Sequence, residues 1–168
     1  MLAVEPEAGL GIGCEFAQTL ALVFAQSPVS VPGIVEGDHA ISVLLADDHA
    51  DIVEMLRFAF SVYGSFEVVG SAADGMRAVD MAIELQPDVA VVDLMMPSLS
   101  GFDAIPLIRA GAPATRIVVL SAVDDANSRR LALEAGADLY LVKGILPREM
   151  ARMLRDLVLT GADSTALN

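Results

Sequence analysis

A doubly wound parallel α/β sheet is the fold class this sequence predicts, and three observations carry the prediction. Short apolar runs alternate five times with stretches of helical periodicity. The middle run, Asp88–Asp93, is apolar on both faces, as a central parallel strand requires. Four runs then end on polar residues: Ile41–Ala46 on Asp47 and Asp48, Val89–Val92 on Asp93, Ile117–Leu120 on Ser121, and Leu139–Val142 on Lys143. In a parallel sheet the strand ends on one edge converge on a crevice where ligands bind. Three carboxylates, a hydroxyl and the chain's single lysine at such ends form a candidate site.

Each element follows in order. Ile41–Ala46 is the first strand, and Ala50–Tyr63 a helix with Ile52, Val53, Leu56 and Phe60 on one face. Phe66–Val69 is a second strand, followed by the helix Gly75–Leu85, which repeats Met76, Val79 and Ile83 and is stopped by Pro87. After the central strand, Phe102–Arg109 is a helix that Pro106 should kink or shorten, since proline lacks a backbone donor. Arg116–Leu120 is the fourth strand, and Ala126–Ala135 a helix with Gly136 as its C-cap. Leu139–Val142 is the fifth strand, and Pro147–Leu159 the last helix, with Pro147 near its first turn. Five βα units with short connections imply right-handed crossovers in one five-stranded sheet.

The chain of 168 residues therefore reads as an N-terminal extension (1–40), one domain (41–160) and a tail (161–168), with no room for a second domain after it. Hydrophobic residues make up 55%, enough for a packed core. The net charge of −13, with arginines scattered and no basic run, argues against direct nucleic-acid binding, which needs clustered Lys and Arg. A lone cysteine, Cys14, rules out an internal disulfide and fits a reducing, cytoplasmic setting.

Residues 1–40 are apolar, glycine- and proline-rich and free of basic residues, with Phe16–Ala25 as a short helix or part of a flexible arm. Glu5 and Glu7 occupy the place of a signal peptide's positive region, and the apolar stretch is too short to span a membrane. Gly9-Leu-Gly-Ile-Gly13 lacks the preceding strand and the spacing of a dinucleotide loop. Translation starting at a later valine such as Val35 is a further hypothesis; N-terminal sequencing of the native protein that finds residues 1–34 would sink it.

The acidic constellation has its own chemistry. Two carboxylates about 4 Å apart repel by about 4 kcal/mol at an effective dielectric near 20. One lysine cannot offset Asp47, Asp48 and Asp93 together, so either some carboxyls stay protonated or a cation sits among them. Oxygen ligands with room for water suit Mg²⁺, which is held by one or two carboxylates and a phosphate.

The strings Leu44-Leu-Ala-Asp-Asp-His49, Val91-Val-Asp-Leu-Met-Met-Pro97, Val119-Leu-Ser-Ala122 and Ala135-Gly-Ala-Asp-Leu-Tyr-Leu-Val-Lys143 together resemble the receiver domain of two-component response regulators. The resemblance runs from about Ile41 to Leu159 and implies a flavodoxin-like (βα)5 fold. It implies that Asp93 takes a phosphoryl group from a kinase phosphohistidine. Asp48, Asp93 and the main-chain carbonyl of Met95 would bind Mg²⁺, with Asp47 acting largely through water. Lys143 would pair with phosphoryl oxygens, and the Ser121 hydroxyl would bond one of them after transfer. Tyr140 falls at the aromatic switch position, whose ring would turn inward as Ser121 moves, changing a partner-binding surface. The implied partners are a sensor histidine kinase or phosphotransfer protein and a downstream protein; a homodimer is compatible. The implied role is a signalling phosphoacceptor rather than an enzyme.

Two departures qualify the pattern. Gly144 follows Lys143 where the family usually has proline, as in the branch that often carries a helix-turn-helix output; here the receiver reads as stand-alone. Met95 and Val123, which flank the route of attacking water in the family, are apolar, so slow self-dephosphorylation is expected; an acyl-phosphate half-life of seconds would count against it. The rival readings are a relay or sink receiver without an output of its own, and a Mg²⁺-dependent phosphatase with an aspartate nucleophile. The latter usually needs a second aspartate two positions on, where Met95 stands. His49 and His39 read as solvated rather than ligating.

Overall fold

The computed structural model describes residues 40–63 and 65–163. The expectations for the arm, the helix Phe16–Ala25, Cys14 and residues 164–168 lie outside the described residues. The strands are β1 (Ile41–Ala46), β2 (Phe66–Ala72), β3 (Val89–Val92), β4 (Arg116–Ser121) and β5 (Leu139–Val142). The helices are α1 (Ala50–Tyr63), α2 (Gly75–Leu85), α3 (Gly101–Gly111), α4 (Ala126–Ala135) and α5 (Pro147–Asp163). All strand pairs are parallel, in the order β2-β1-β3-β4-β5. That is the flavodoxin-like order, and its switch point lies between β1 and β3.

Strict alternation along the strands builds a core on each face. Val43, Leu45, Val89, Val91, Val118, Leu120 and Leu141 pack with Val53, Leu56 and Phe60 of α1 and Met150 and Leu154 of α5. Leu44, Ala90, Val92, Ile117, Val119 and Tyr140 pack on the other face with residues of α2, α3 and α4. Ala46 pairs with Val92 in the β1·β3 ladder, so Asp47 and Asp93 leave the sheet level with each other and on the α1/α5 face. Lys143 shares that parity with Leu141, whereas Ser121 and Tyr140 share the opposite one.

At the other end of the same strands, Ser42 and Asp88 clasp each other. The Ser42 N–H and hydroxyl donate to Asp88 Oδ2 (2.8 and 2.6 Å), and the Asp88 N–H donates to Ser42 Oγ (2.9 Å).

Three local outcomes differ from the expected pattern. Met76 and Ile83 of α2 stand half exposed, while Ala78, Val79 and Ala82 face the sheet, because small residues let a helix lie close to it. Pro106 does not end α3, which continues to Gly111. Helix α5 runs on to Asp163, past the expected start of the tail, since a glycine such as Gly161 costs a helix only about 1 kcal/mol.

Candidate functional site

Main-chain bonds at the switch point fix where the acids sit. The Asp93 N–H donates to Ala46 O (2.8 Å), and the Asp47 N–H to Ala72 O (3.0 Å). The Lys143 N–H donates to Ser121 O (2.8 Å), which ties the end of β5 to the end of β4. Asp47 and Asp93 are buried, at 5% and 3% exposure, and Asp48 is more open.

Lys143 spans the two buried acids: its Nζ lies 2.7 Å from Asp47 Oδ2 and 2.8 Å from Asp93 Oδ2. The second contact is a hydrogen bond. The first is a short ion pair with a buried carboxylate oxygen. Burial alone would lower the Lys143 ammonium, but the hydrogen bonds and charges of Asp47 and Asp93 outweigh it and hold it above its ordinary value. Lysine is thus firmly charged at neutral pH.

Single oxygens of Asp47, Asp48 and Asp93, together with a ring nitrogen of His49, lie within 4.8 Å of one another. An open cavity of about 230 Å³ beside Asp47 and Asp48, lined also by Glu54 and Ser71, leaves room for water. Oxygen donors and three carboxylates set against one lysine fit a hard divalent cation.

The loop after β3 carries Asp93 and is held from two sides. The Gly101 N–H donates to Leu94 O (2.9 Å), and a Cβ at Gly101 would run into Asp93 O and stand 2.7 Å from Leu94 Cα. Only glycine lets α3 approach the Asp93 backbone this closely. The Met95 N–H reaches Asp93 Oδ1 at 3.3 Å, while the Met95 side chain is exposed. After Lys143, Gly144 adopts φ 105°, a left-handed conformation suited to glycine, and no cis peptide bond occurs among the described residues.

Ser121 is fully buried, its Oγ accepting from the Val123 N–H (3.2 Å), and its hydroxyl makes no hydrogen bond to Asp93 or Lys143 among the described residues. Tyr140 already points inward, at 3% exposure, with its hydroxyl donating to Val123 O (2.7 Å). Arg129 holds it there: the guanidinium lies 4.9 Å from the ring centroid and donates to Tyr140 O at 3.2 Å. The inward ring was expected only after Ser121 moves.

His49 was expected to be solvated. Its side chain is 63% exposed, yet Nδ1 lies 2.8 Å from Asp48 Oδ1 and 3.2 Å from Asp47 Oδ1. Its position directly after the acid pair was the available signal.

Set beside known proteins, residues 43–155 match the response regulator receiver domain family. The chain is 37% identical over 112 residues to the transcriptional regulatory protein YhcZ of Bacillus subtilis, covering 67% of this chain and 52% of that one. It is 34% identical over 119 residues to the response regulator VraR of Staphylococcus aureus, covering 68% and 55%. It thus spans about half the length of these relatives. Among solved structures, it resembles the signal receiver domain of the response regulator NarL from Mycobacterium tuberculosis, with a TM-score of 0.69 and 32% identity over 71% of this chain and 97% of that one. The response regulator domain of Thermotoga maritima CheB is similar too, with a TM-score of 0.66 and 32% identity over 71% and 96%.

Proposed function

The chain belongs to the response regulator receiver family, and from that premise we propose that Asp93 accepts a phosphoryl group from a histidine kinase or phosphotransfer protein. The observation that carries the proposal is the shared contact of Lys143 Nζ with Asp47 and Asp93 at the switch point of the sheet.

In the transfer a carboxylate oxygen of Asp93 forms the new O–P bond while the N–P bond of the donor phosphohistidine breaks, its electron pair returning to the imidazole. Asp48, Asp93 and the Met95 carbonyl would hold Mg²⁺, with Asp47 mainly through water. When bound, Mg²⁺ offsets the carboxylate charge and that of the phosphoryl oxygens. Lys143, charged and already against Asp93, is placed to pair with an incoming phosphoryl oxygen. Ser121 would bond another after a shift of the β4–α4 loop, and that loop's Val123 carbonyl is what the Tyr140 hydroxyl holds. Phosphorylation would thereby reach the surface of α4, β5 and α5 and a downstream protein partner.

Residues 41–160 form the receiver in this reading, and 1–40 an extension. No helix among the described residues is long and apolar enough to cross a membrane, and we place the activity in the cytoplasm with the kinase domain that supplies the phosphoryl group.

The test is a phosphotransfer panel with radiolabelled candidate kinases, with and without Mg²⁺. Label should move to the wild type in Mg²⁺ and not to Asp93→Asn. Equal labelling of the two proteins would refute the assignment, and turnover of generic phosphate esters would favour a phosphatase.

A further inference from the structure

His49 is the one residue of the acidic cluster that offers nitrogen, and the only histidine among the described residues. Its backbone is pinned beside the site. The His49 N–H donates to Asp47 Oδ1 (2.9 Å), and its carbonyl accepts from the N–H groups of Ile52 (3.0 Å) and Val53 (3.2 Å) at the start of α1. The ring projects from this fixed point into solvent on one side and against Asp47 and Asp48 on the other. It can therefore join or leave the carboxylates by side-chain rotation alone, without a change in the fold.

The two flanks of the acid pair are unlike. Lys143 occupies the Oδ2 atoms of Asp47 and Asp93, whereas His49 faces the Oδ1 atoms of Asp47 and Asp48. Mg²⁺ dehydrates reluctantly and takes oxygen ligands, so it has no use for the ring. Co²⁺, Ni²⁺ and Zn²⁺ bind imidazole well and sit higher in the affinity series.

We infer that His49 is a cation-selecting ligand of the acidic site: the site holds Co²⁺, Ni²⁺ or Zn²⁺ through carboxylates and the His49 ring, and Mg²⁺ through oxygen alone. This rests on the acidic site being a divalent-cation site, as proposed above. Its consequence is that scarce transition metals compete for the receiver far better than three aspartates would allow.

The experiment uses the full chain with Co²⁺ as probe. Titrations give dissociation constants for Co²⁺ and Mg²⁺ in the wild type, His49→Ala and Asp48→Asn, and proton NMR of the Co²⁺ form looks for a hyperfine-shifted imidazole N–H. The wild type should show that resonance and His49→Ala should lack it. His49→Ala should weaken Co²⁺ by about tenfold or more, the size that loss of even an outer-shell partner produces. Mg²⁺ affinity should stay within about twofold, because Mg²⁺ keeps its oxygen ligands. Unchanged Co²⁺ affinity in His49→Ala, or an equal fall for both ions, overturns the inference while leaving the acidic site intact. Failure of the wild type to bind Mg²⁺, or undiminished binding of both ions by Asp48→Asn, overturns the acidic-site reading itself.

Discussion

Replacing Lys143 with methionine removes the one cation that touches both buried acids. Each contact, at 2.7 and 2.8 Å, is worth about 6 kcal/mol before desolvation at an effective dielectric near 20. Most of that offsets the cost of taking the charges out of water. What a single deletion exposes is the penalty of leaving Asp47 and Asp93 buried, adjacent and uncompensated, which for a broken buried pair is about 3–5 kcal/mol. Urea denaturation at pH 7 without divalent ions should show that loss, with an unchanged slope. Adding Asp93→Asn to Lys143→Met should return part of it, because one uncompensated charge disappears. Mg²⁺ should narrow the gap further, since ligand at a hundred times its dissociation constant stabilises by about 2.7 kcal/mol. A cost below about 1 kcal/mol for Lys143→Met would refute the reasoning, placing the interaction among weak surface pairs.

The same lysine sets an alkaline limit. Its folded value lies above the ordinary 10.5, so its contribution is complete below pH 10.5 and fades as pH climbs through the folded value. The stability difference between wild type and Lys143→Met should shrink in that range, measured by denaturation at stepped pH; a constant difference would contradict it. Gly101→Ala forces a methyl group into the Asp93 backbone and should cost about 1–3 kcal/mol, read by thermal melting, while slowing phosphotransfer. Arg129→Ala removes a cation–π contact worth about 0.5–1 kcal/mol and should loosen Tyr140. With two tyrosines in the chain, fluorotyrosine NMR can follow this: the Tyr140 signal should broaden or split while that of Tyr63 stays put.

The sheet and its acidic edge were legible because both follow from short-range rules. Alternating apolar residues mark a strand, and the first polar residue past its end, as at Asp47, Asp93 and Lys143, must emerge on one rim. The face of α2 was not legible, because Met76 and Ile83 obey the same period as the alanines that pack on the sheet. Which stripe turns inward depends on how close the helix comes to β1 and β2. The rotamer of Tyr140 was hidden for a different reason: it depends on Arg129, on another element. At His49 the local signal was present, but the ring's approach to the acids depends on the turn its backbone makes into α1.

The clasp between Ser42 and Asp88 acts on the aspartate rim from a distance. It sits some five residues below the aspartate rim, about 16 Å along the strand. A slip of one residue there would carry Asp47 away from Asp93 and turn Asp48 toward it, exchanging which acid meets the amine. Alignment of Asp47 with Asp93 is thus calibrated at the far rim, by a hydroxyl and a carboxyl that lie outside the acidic cluster.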